Sequence, residues 1–379
     1  MRAASLERFD GLADRFLADI EPLKEAGALV VGIYCTYAPR ELVSAAGALP
    51  VGLCGKKQAP IPAAEKTLPA NLCPLIKSSY GYAITGTCPY FAAADLLVGE
   101  TTCDGKKKMY EFLGAVKPMH IMHLPFATGA AQEAYWTQEM RRFKEFLESA
   151  TGNRITEDGL REEIRVQNEV RRLLARVLKL SSGACSPLSG LDMMAVSEAK
   201  SYVADPRAYA AMLRDLAAEL EAMARAGQSG VATGARRILL TGCPVGRGSE
   251  KVVRLLEESG AVVVAAENCS GVKSFDLLAD ESGDPLVALA RRTLCIPCSV
   301  MTPNAGRLSL LDRLTEEYRP EGVVDLTWQC CHTYNVESPM VQGHMLGKHG
   351  LRTLHIETDY SEADTEQLRT RIEAFLELL

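Results

Sequence analysis

From residue 28 onward the chain alternates short apolar runs with stretches of helical periodicity, and this rhythm restricts it to a parallel α/β sheet architecture. In the first half ALVVGIY (28–34), PVGL (50–53), ADLLVGE (94–100) and MHIMHL (119–124) read as strands, with KKMYEFLG before the last as a short helix. Residues 135–149 place Met140, Phe143 and Leu147 on one helical face. Two further helices are expected over roughly 156–180 and 206–226. The second has Asp205 at its N-cap, Pro206 at its first position and Gly227 just beyond its end. The rhythm then returns. RILLTG (237–242), AVVVAAE (261–267), GVVDLT (322–327) and LRTLHIE (351–357) read as strands, and helices are expected over 249–259, 307–318 and from Thr365 to the end.

The fold expected is α/β: two Rossmann-like parallel-sheet domains joined by a helical segment, with a metal site in the cleft between them. The boundaries expected are 1–134 for the N-terminal α/β domain, 135–230 for the helical connector and 231–379 for the C-terminal α/β domain. A chain of 379 residues with 47% hydrophobic and 24% charged residues exceeds one ordinary core. The net charge of −6 argues against nucleic acid or an anionic membrane surface as the main partner. MRAASLERFDGLADRF carries alternating charges and no apolar core of a signal, and no apolar run approaches the ~20 residues of a membrane helix. A soluble, cytoplasmic protein is the expectation.

Twelve cysteines are the anomaly in such a chain. Reduced thiols are expected in that compartment, so a disulfide framework does not account for them. Inert packing explains a few scattered cysteines, but not a set that recurs beside Gly, Pro and Asp. Cys35, Cys54, Cys103, Cys243, Cys269 and the Cys330/Cys331 pair each follow a predicted strand closely. Carboxyl ends of parallel strands open onto the ligand crevice, so cysteines of two sheets can meet in one cleft. Cys73 and Cys88 lie between strands, and Cys295 and Cys298 form a C-x-x-C. Thiolates in number suit zinc or iron–sulfur chemistry. Structural zinc prefers two close ligand pairs, and only one C-x-x-C is present. Iron–sulfur clusters accept dispersed ligands, so they are favoured ahead of zinc and of buried or redox-active thiols.

Several blocks together resemble the double-cubane cluster proteins, within the superfamily of 2-hydroxyacyl-CoA dehydratases and benzoyl-CoA reductases. They are YCTYAPRELVSAAGALPVGLCG (34–55), NLCPLIKSSYGYAITGTCPYF (71–91), ADLLVGETTCDGKKKMYE (94–111), TGCPVG (241–246), ENCSGVK (267–273), IPCSVMTPN (296–304), CCHTYNVES (330–338) and HIETDYSEADTEQLRTRIEAFLE (355–377). The resemblance implies a double-cubane 8Fe–9S cluster, two 4Fe–4S units bridged by sulfide, that reduces a small-molecule substrate at low potential. It implies Cys73, Cys88, Cys103, Cys269, Cys298 and Cys331 as ligands, with Cys35, Cys54, Cys243, Cys295 and Cys330 spare. It further implies an ATP-hydrolysing 4Fe–4S activator as partner, and a homodimer. No G-x-x-x-x-G-K-S/T phosphate loop occurs, and GLCGKK (52–57) is too short for one, in keeping with an external ATPase. The alternatives are a dehydratase subunit with a single 4Fe–4S cluster and a non-catalytic electron carrier.

His332, beside the cysteine pair, is the candidate proton donor, against a plain turn histidine. His355, Glu357 and Asp359 alternate along the last strand and either face the cleft or cap the next helix. Glu267 is a candidate proton relay, with a supporting hydrogen bond as the simpler role. Lys106, Lys107 and Lys108 read as a solvated helix face or, less favoured, a dock for an acidic partner.

Overall fold

The computed structural model describes residues 2–379. In the first half β1 (Val30–Ile33), β2 (Leu49–Gly52), β3 (Leu96–Glu100) and β4 (Met119–Met122) form one sheet in the order β2-β1-β3-β4. In the second, β5 (Arg236–Gly242), β6 (Ala261–Glu267), β7 (Gly322–Trp328) and β8 (Thr353–Thr358) form another in the order β6-β5-β7-β8. All six pairings are parallel. Counted from the start of its half, each sheet has the same order, so the halves repeat one Rossmann-like topology. The inner strands are covered on both faces: every residue of β1, β3 and β7 is buried, whereas the edge strands β4 and β8 are half-buried. No helix among the described residues is long and apolar enough to cross a membrane.

Most expected elements form. The fourth strand stops at Met122, short of the expected Leu124, because the next two amides turn to side chains. His123 N donates to Glu139 Oε2 at 2.8 Å and Leu124 N to Thr101 Oγ1 at 3.0 Å. The long helices Glu157–Lys179 and Pro206–Arg225 pack together and carry the caps their sequences offer. Thr156 Oγ1 accepts from Gly159 N at 3.1 Å, and Asp205 Oδ1 from Arg207 N at 2.9 Å. Several helices are not expected from the sequence, Leu12–Glu25, Pro74–Thr85, Pro285–Leu294 and His332–His349 among them. Pro74–Thr85 is buried on nearly all sides and so has no polar stripe, while His332–His349 contains Pro339.

Two segments cross between the halves. Ala3, Leu6, Phe9 and Leu12 join the core formed by Pro206–Arg225 and the outer face of the second sheet. Helix Pro285–Leu294, inserted between β6 and β7, packs on helix Ala130–Thr151 under the first sheet. There Trp136 Nε1 donates to Thr293 Oγ1 at 2.8 Å, and Tyr37 OH donates to the Ile296 carbonyl at 3.0 Å. Thr302 N donates to the Phe126 carbonyl at 2.6 Å. The Cys298 loop therefore belongs by sequence to the second half and by packing to the first. Trp136 is fully buried. Trp136→Ala should lower unfolding free energy by about 3–5 kcal/mol in denaturant titrations and speed amide exchange over residues 285–301. A loss under about 1 kcal/mol would show that this contact does not anchor the segment.

Candidate metal centre

The carboxyl ends of β1, β2, β5 and β7 meet at one cavity of about 510 Å³. Nine of the twelve cysteines line it: Cys35, Cys54, Cys73, Cys103, Cys243, Cys269, Cys298, Cys330 and Cys331. All are free thiols. They fall into two groups. In the first, hydrogen bonds from Cys243 and Cys73 hold the Cys331 thiol well below its ordinary range, and Cys103 stands within electrostatic reach. In the second, the hydrogen bond from Cys269 brings the Cys298 thiol down to about 6, with Lys273 and Lys106 acting in the same direction. Cys35 is the neighbour of this pair, and burial pushes its thiol up to about 12.

Local structure explains why sulfur gathers here. Cys73, Cys103 and Cys331 occupy the N-cap positions of helices Pro74–Thr85, Asp104–Gly114 and His332–His349. The positive helix ends and unpaired amides at those points favour thiolate over thiol. The nearby backbone amides of Leu75, Lys106, Tyr334 and Val300 favour the thiolates of Cys73, Cys103, Cys331 and Cys298 respectively, while burial pushes the Cys73 and Cys103 thiols up. Gly242 (φ +106°) turns the chain after β5 where a Cβ would lie 2.1 Å from the Leu326 carbonyl oxygen. This turn delivers Cys243, whose Sγ accepts from Trp328 N at 3.3 Å. Cys330 takes the left-handed conformation (φ +61°) that reverses the chain after β7 and carries Cys331 toward Cys73 and Cys243.

The other sequence candidates are dispersed. Cys88 lines a neighbouring cavity of about 760 Å³, where its Sγ accepts from Phe91 N at 3.4 Å and caps the short helix Pro89–Ala93. Cys54, set aside as spare, borders both cavities and donates to the Tyr34 carbonyl at 3.3 Å. Cys295 is exposed and lines neither. His332 is exposed at the cavity rim. His355, Glu357 and Asp359 do not line the cavity. They bond Thr327 Oγ1, Asn335 Nδ2 and the Ser361 amide respectively. The lysine run divides: Lys107 and Lys108 pair on the surface with Asp104 and Glu111, while Lys106 turns inward and donates to the Tyr34 carbonyl at 3.0 Å. Reading the run as one solvated face misses this, because only a helix starting at Asp104 sends its third residue to the interior. Glu100, at the end of β3, was not singled out; burial pushes its carboxyl up to about 7.

Behind the second thiol group lies an ionic network that is fully buried except at Glu337. Lys273 Nζ meets Glu267 Oε1 at 2.6 Å and donates to Tyr334 OH at 3.3 Å. Arg307 reaches Glu337 at 2.6 Å, Glu267 at 3.5 Å and Asp325 at 3.7 Å. Thr241 Oγ1 donates to Glu267 Oε2 at 2.5 Å. Glu267 is thus held by two cations and a hydroxyl away from the cavity wall.

The donors present, thiols in two buried groups with amides aimed at sulfur and lysines beside them, suit a thiolate-bound cluster rather than a hard cation. Fold and site together define a two-sheet α/β protein with a multi-cysteine centre in the interdomain cleft. Residues 35–379 match the family model described as 2-hydroxyglutaryl-CoA dehydratase, D-component, and the chain belongs to this family, within the 2-hydroxyacyl-CoA dehydratase superfamily. It is 44% identical over 99% of its length to YjiM of Escherichia coli K12, named as a dehydratase subunit, covering 98% of that protein. The beta subunit of (R)-phenyllactyl-CoA dehydratase of Clostridium sporogenes is 24% identical over 94% of the chain and 93% of its own length. One subunit of the benzoyl-CoA reductase of Thauera aromatica is 24% identical over 47% of the chain and 46% of its own length.

The ionic network makes a direct test of its own energetics. Lys273→Met leaves Glu267 with less compensation and should cost about 3 kcal/mol of unfolding free energy. Adding Glu267→Gln should recover part of the loss in a double-mutant cycle. A double variant no more stable than the single one would mean that the pair is not coupled.

Proposed function

We propose that this chain is the substrate-reducing iron–sulfur component of a two-protein system, with a double-cubane 8Fe–9S cluster as its cofactor. The observation that carries this reading is the division of the cavity thiols into two groups, each with at least three members. Cys73, Cys103 and Cys331 would hold one cubane, and Cys35, Cys269 and Cys298 the other. Cys35 takes the place that the sequence assigned to Cys88, because Cys88 borders a different cavity. Cys243 remains as a thiol donor to the Cys331 sulfur. When bound, such a cluster supplies single electrons at low potential.

The chain's own residues would do the rest. Helix N-termini at Cys73, Cys103 and Cys331, with Lys106 and Lys273, offset the charge of the thiolates. Leu72, Leu75, Ile76 and Phe275 line the cavity and exclude water from it. His332 at the exposed rim is the residue we assign to carrying a proton inward from solvent. ATP hydrolysis falls to a separate activator protein, since no phosphate loop is present in this sequence.

The relatives' names support a second reading, a dehydratase in which the first thiol group alone holds a single 4Fe–4S cubane. That reaction is a lyase reaction, whereas reduction is an oxidoreductase reaction, and iron content separates them. Protein purified without oxygen should contain about eight irons per chain, with acid-labile sulfide in similar amount. About four irons would support the dehydratase, and zinc without sulfide would sink both. With two bridged cubanes, Cys103→Ser and Cys298→Ser should each disturb the whole reduced-state paramagnetic resonance spectrum, while Cys295→Ser leaves it unchanged. Additive loss of two independent cubane signals would refute the bridge. A non-catalytic carrier would show no substrate-dependent ATP turnover with its activator.

A further inference from the structure

The cavity is lined by more cationic side chains than its carboxylates pair with. Six cationic side chains line it: Arg40, Lys56, Lys106, Arg171, Lys200 and Arg292. Two are matched, Arg171 by Glu41 and Lys56 by Glu198 at 2.5 Å. Asp104 also lines the cavity, but its carboxylate is exposed and pairs with Lys107. Among the described residues the remaining four cations have no carboxylate oxygen within 4 Å and bond only uncharged oxygens.

These four have different duties. Lys106 acts on Cys35, Cys103 and Cys298, so its charge belongs to the thiol centre. Arg292 is buried and fixed by two carbonyls, Leu277 at 2.8 Å and Ser274 at 3.0 Å. Arg40 and Lys200 remain. Arg40 opens helix Arg40–Ala45 of the first half and spends one Nη on the Pro50 carbonyl at 2.9 Å. Lys200 follows helix Gly190–Ala199 of the connecting segment and bonds Ser197 O at 2.6 Å and Ser197 Oγ at 3.3 Å. The two come from separate elements and repel one another. Burial, then Arg40 and Lys56, bring the Lys200 ammonium down to about 7. Glu41 acts on Arg40 and Glu198 on Lys200, but both carboxylates are already paired, with Arg171 and Lys56, so a bound anion would offset the remaining repulsion.

We propose that Arg40 and Lys200 form an oxyanion subsite beside the thiol centre, so that the substrate of this protein carries a carboxylate or a phosphate group. The inference rests on the reading of the thiol cavity as the reaction site. Arginine offers a planar pair of donors and lysine a point charge, the combination that carboxylates and phosphates recruit. Neither cation hydrogen-bonds a ligand sulfur, but Lys200 lies within electrostatic reach of Cys269, so iron content is read alongside anion binding.

The test titrates anaerobically purified holoprotein with sodium acetate and, separately, with inorganic phosphate, against sodium chloride at equal ionic strength. Melting temperature, reduced-state paramagnetic resonance and iron per chain are read together. We expect saturable binding of at least one probe; acetate would mark a carboxylate substrate and phosphate a phosphate ester. Arg40→Gln and Lys200→Gln should weaken binding by about tenfold or more with iron unchanged, and Lys200→Arg should retain it. Saturation by neither anion would overturn the subsite. So would iron loss in the two Gln variants with iron kept in Lys200→Arg, because the cations would then serve the cofactor. A wild-type protein without iron would sink the iron–sulfur reading instead, while its melting temperature would still report the anion.

Discussion

Everything at the centre of this molecule depends on parallel strands ending where helices begin. In each half the strand ends face the cleft, and the element that follows presents the positive end of its dipole there. Cys103 and Cys331 stand at such points, and Cys73 at the start of a helix that follows no strand directly; each is the N-cap of its helix. An anionic sulfur buried in an apolar cavity would otherwise carry a heavy desolvation penalty. Here backbone amides and inward-turned Lys106 meet that penalty before any metal is considered.

The thiol groups also require both halves. Cys73 and Cys103 come from the first, Cys243 and Cys331 from the second. Cys35 follows β1, Cys269 follows β6, and Cys298 sits on the segment that crosses over to pack beneath the first sheet. Neither half can assemble either group alone. The crossing segments are therefore part of the site, since Trp136 and Tyr37 fix the stretch that carries Cys298. This is a physical reason for interleaving the halves rather than joining them by a linker.

The strands were legible because burial on both faces leaves runs such as AVVVAAE, and the expectation that strand-end cysteines meet in the cleft holds for Cys103, Cys269 and Cys331, which line the cavity. What escaped is what depends on contacts far apart in sequence. Cys243 is expected at the cleft as a strand-end cysteine, but its pairing with Cys331 depends on the left-handed turn at Cys330. Cys88 looked equivalent to Cys73, yet the helix between them carries it to the other cavity. The inward course of Lys106 and the unmatched charges of Arg40 and Lys200 have no signature in local composition. Helix Pro74–Thr85 was invisible for a simpler reason: a helix buried on nearly all sides shows no periodicity.

The buried network of Glu267, Lys273, Arg307 and Asp325 remains to be understood as something other than stability. Replacing buried ion pairs with apolar side chains is often neutral or stabilising, so the network does not exist for free energy alone. Its members lie on the segments that carry the cysteines. Lys273 follows Cys269, Arg307 follows Cys298, and Glu337 and Tyr334 follow Cys331. Asn304 Nδ2 adds a bond to the Cys298 carbonyl at 3.0 Å and another to Glu337 at 2.8 Å, and Ser299 Oγ meets Thr333 Oγ1 at 2.8 Å. Apolar packing would let these three loops slide relative to one another. Directional bonds among them fix one register, and with it the spacing of three sulfurs that no single loop could set.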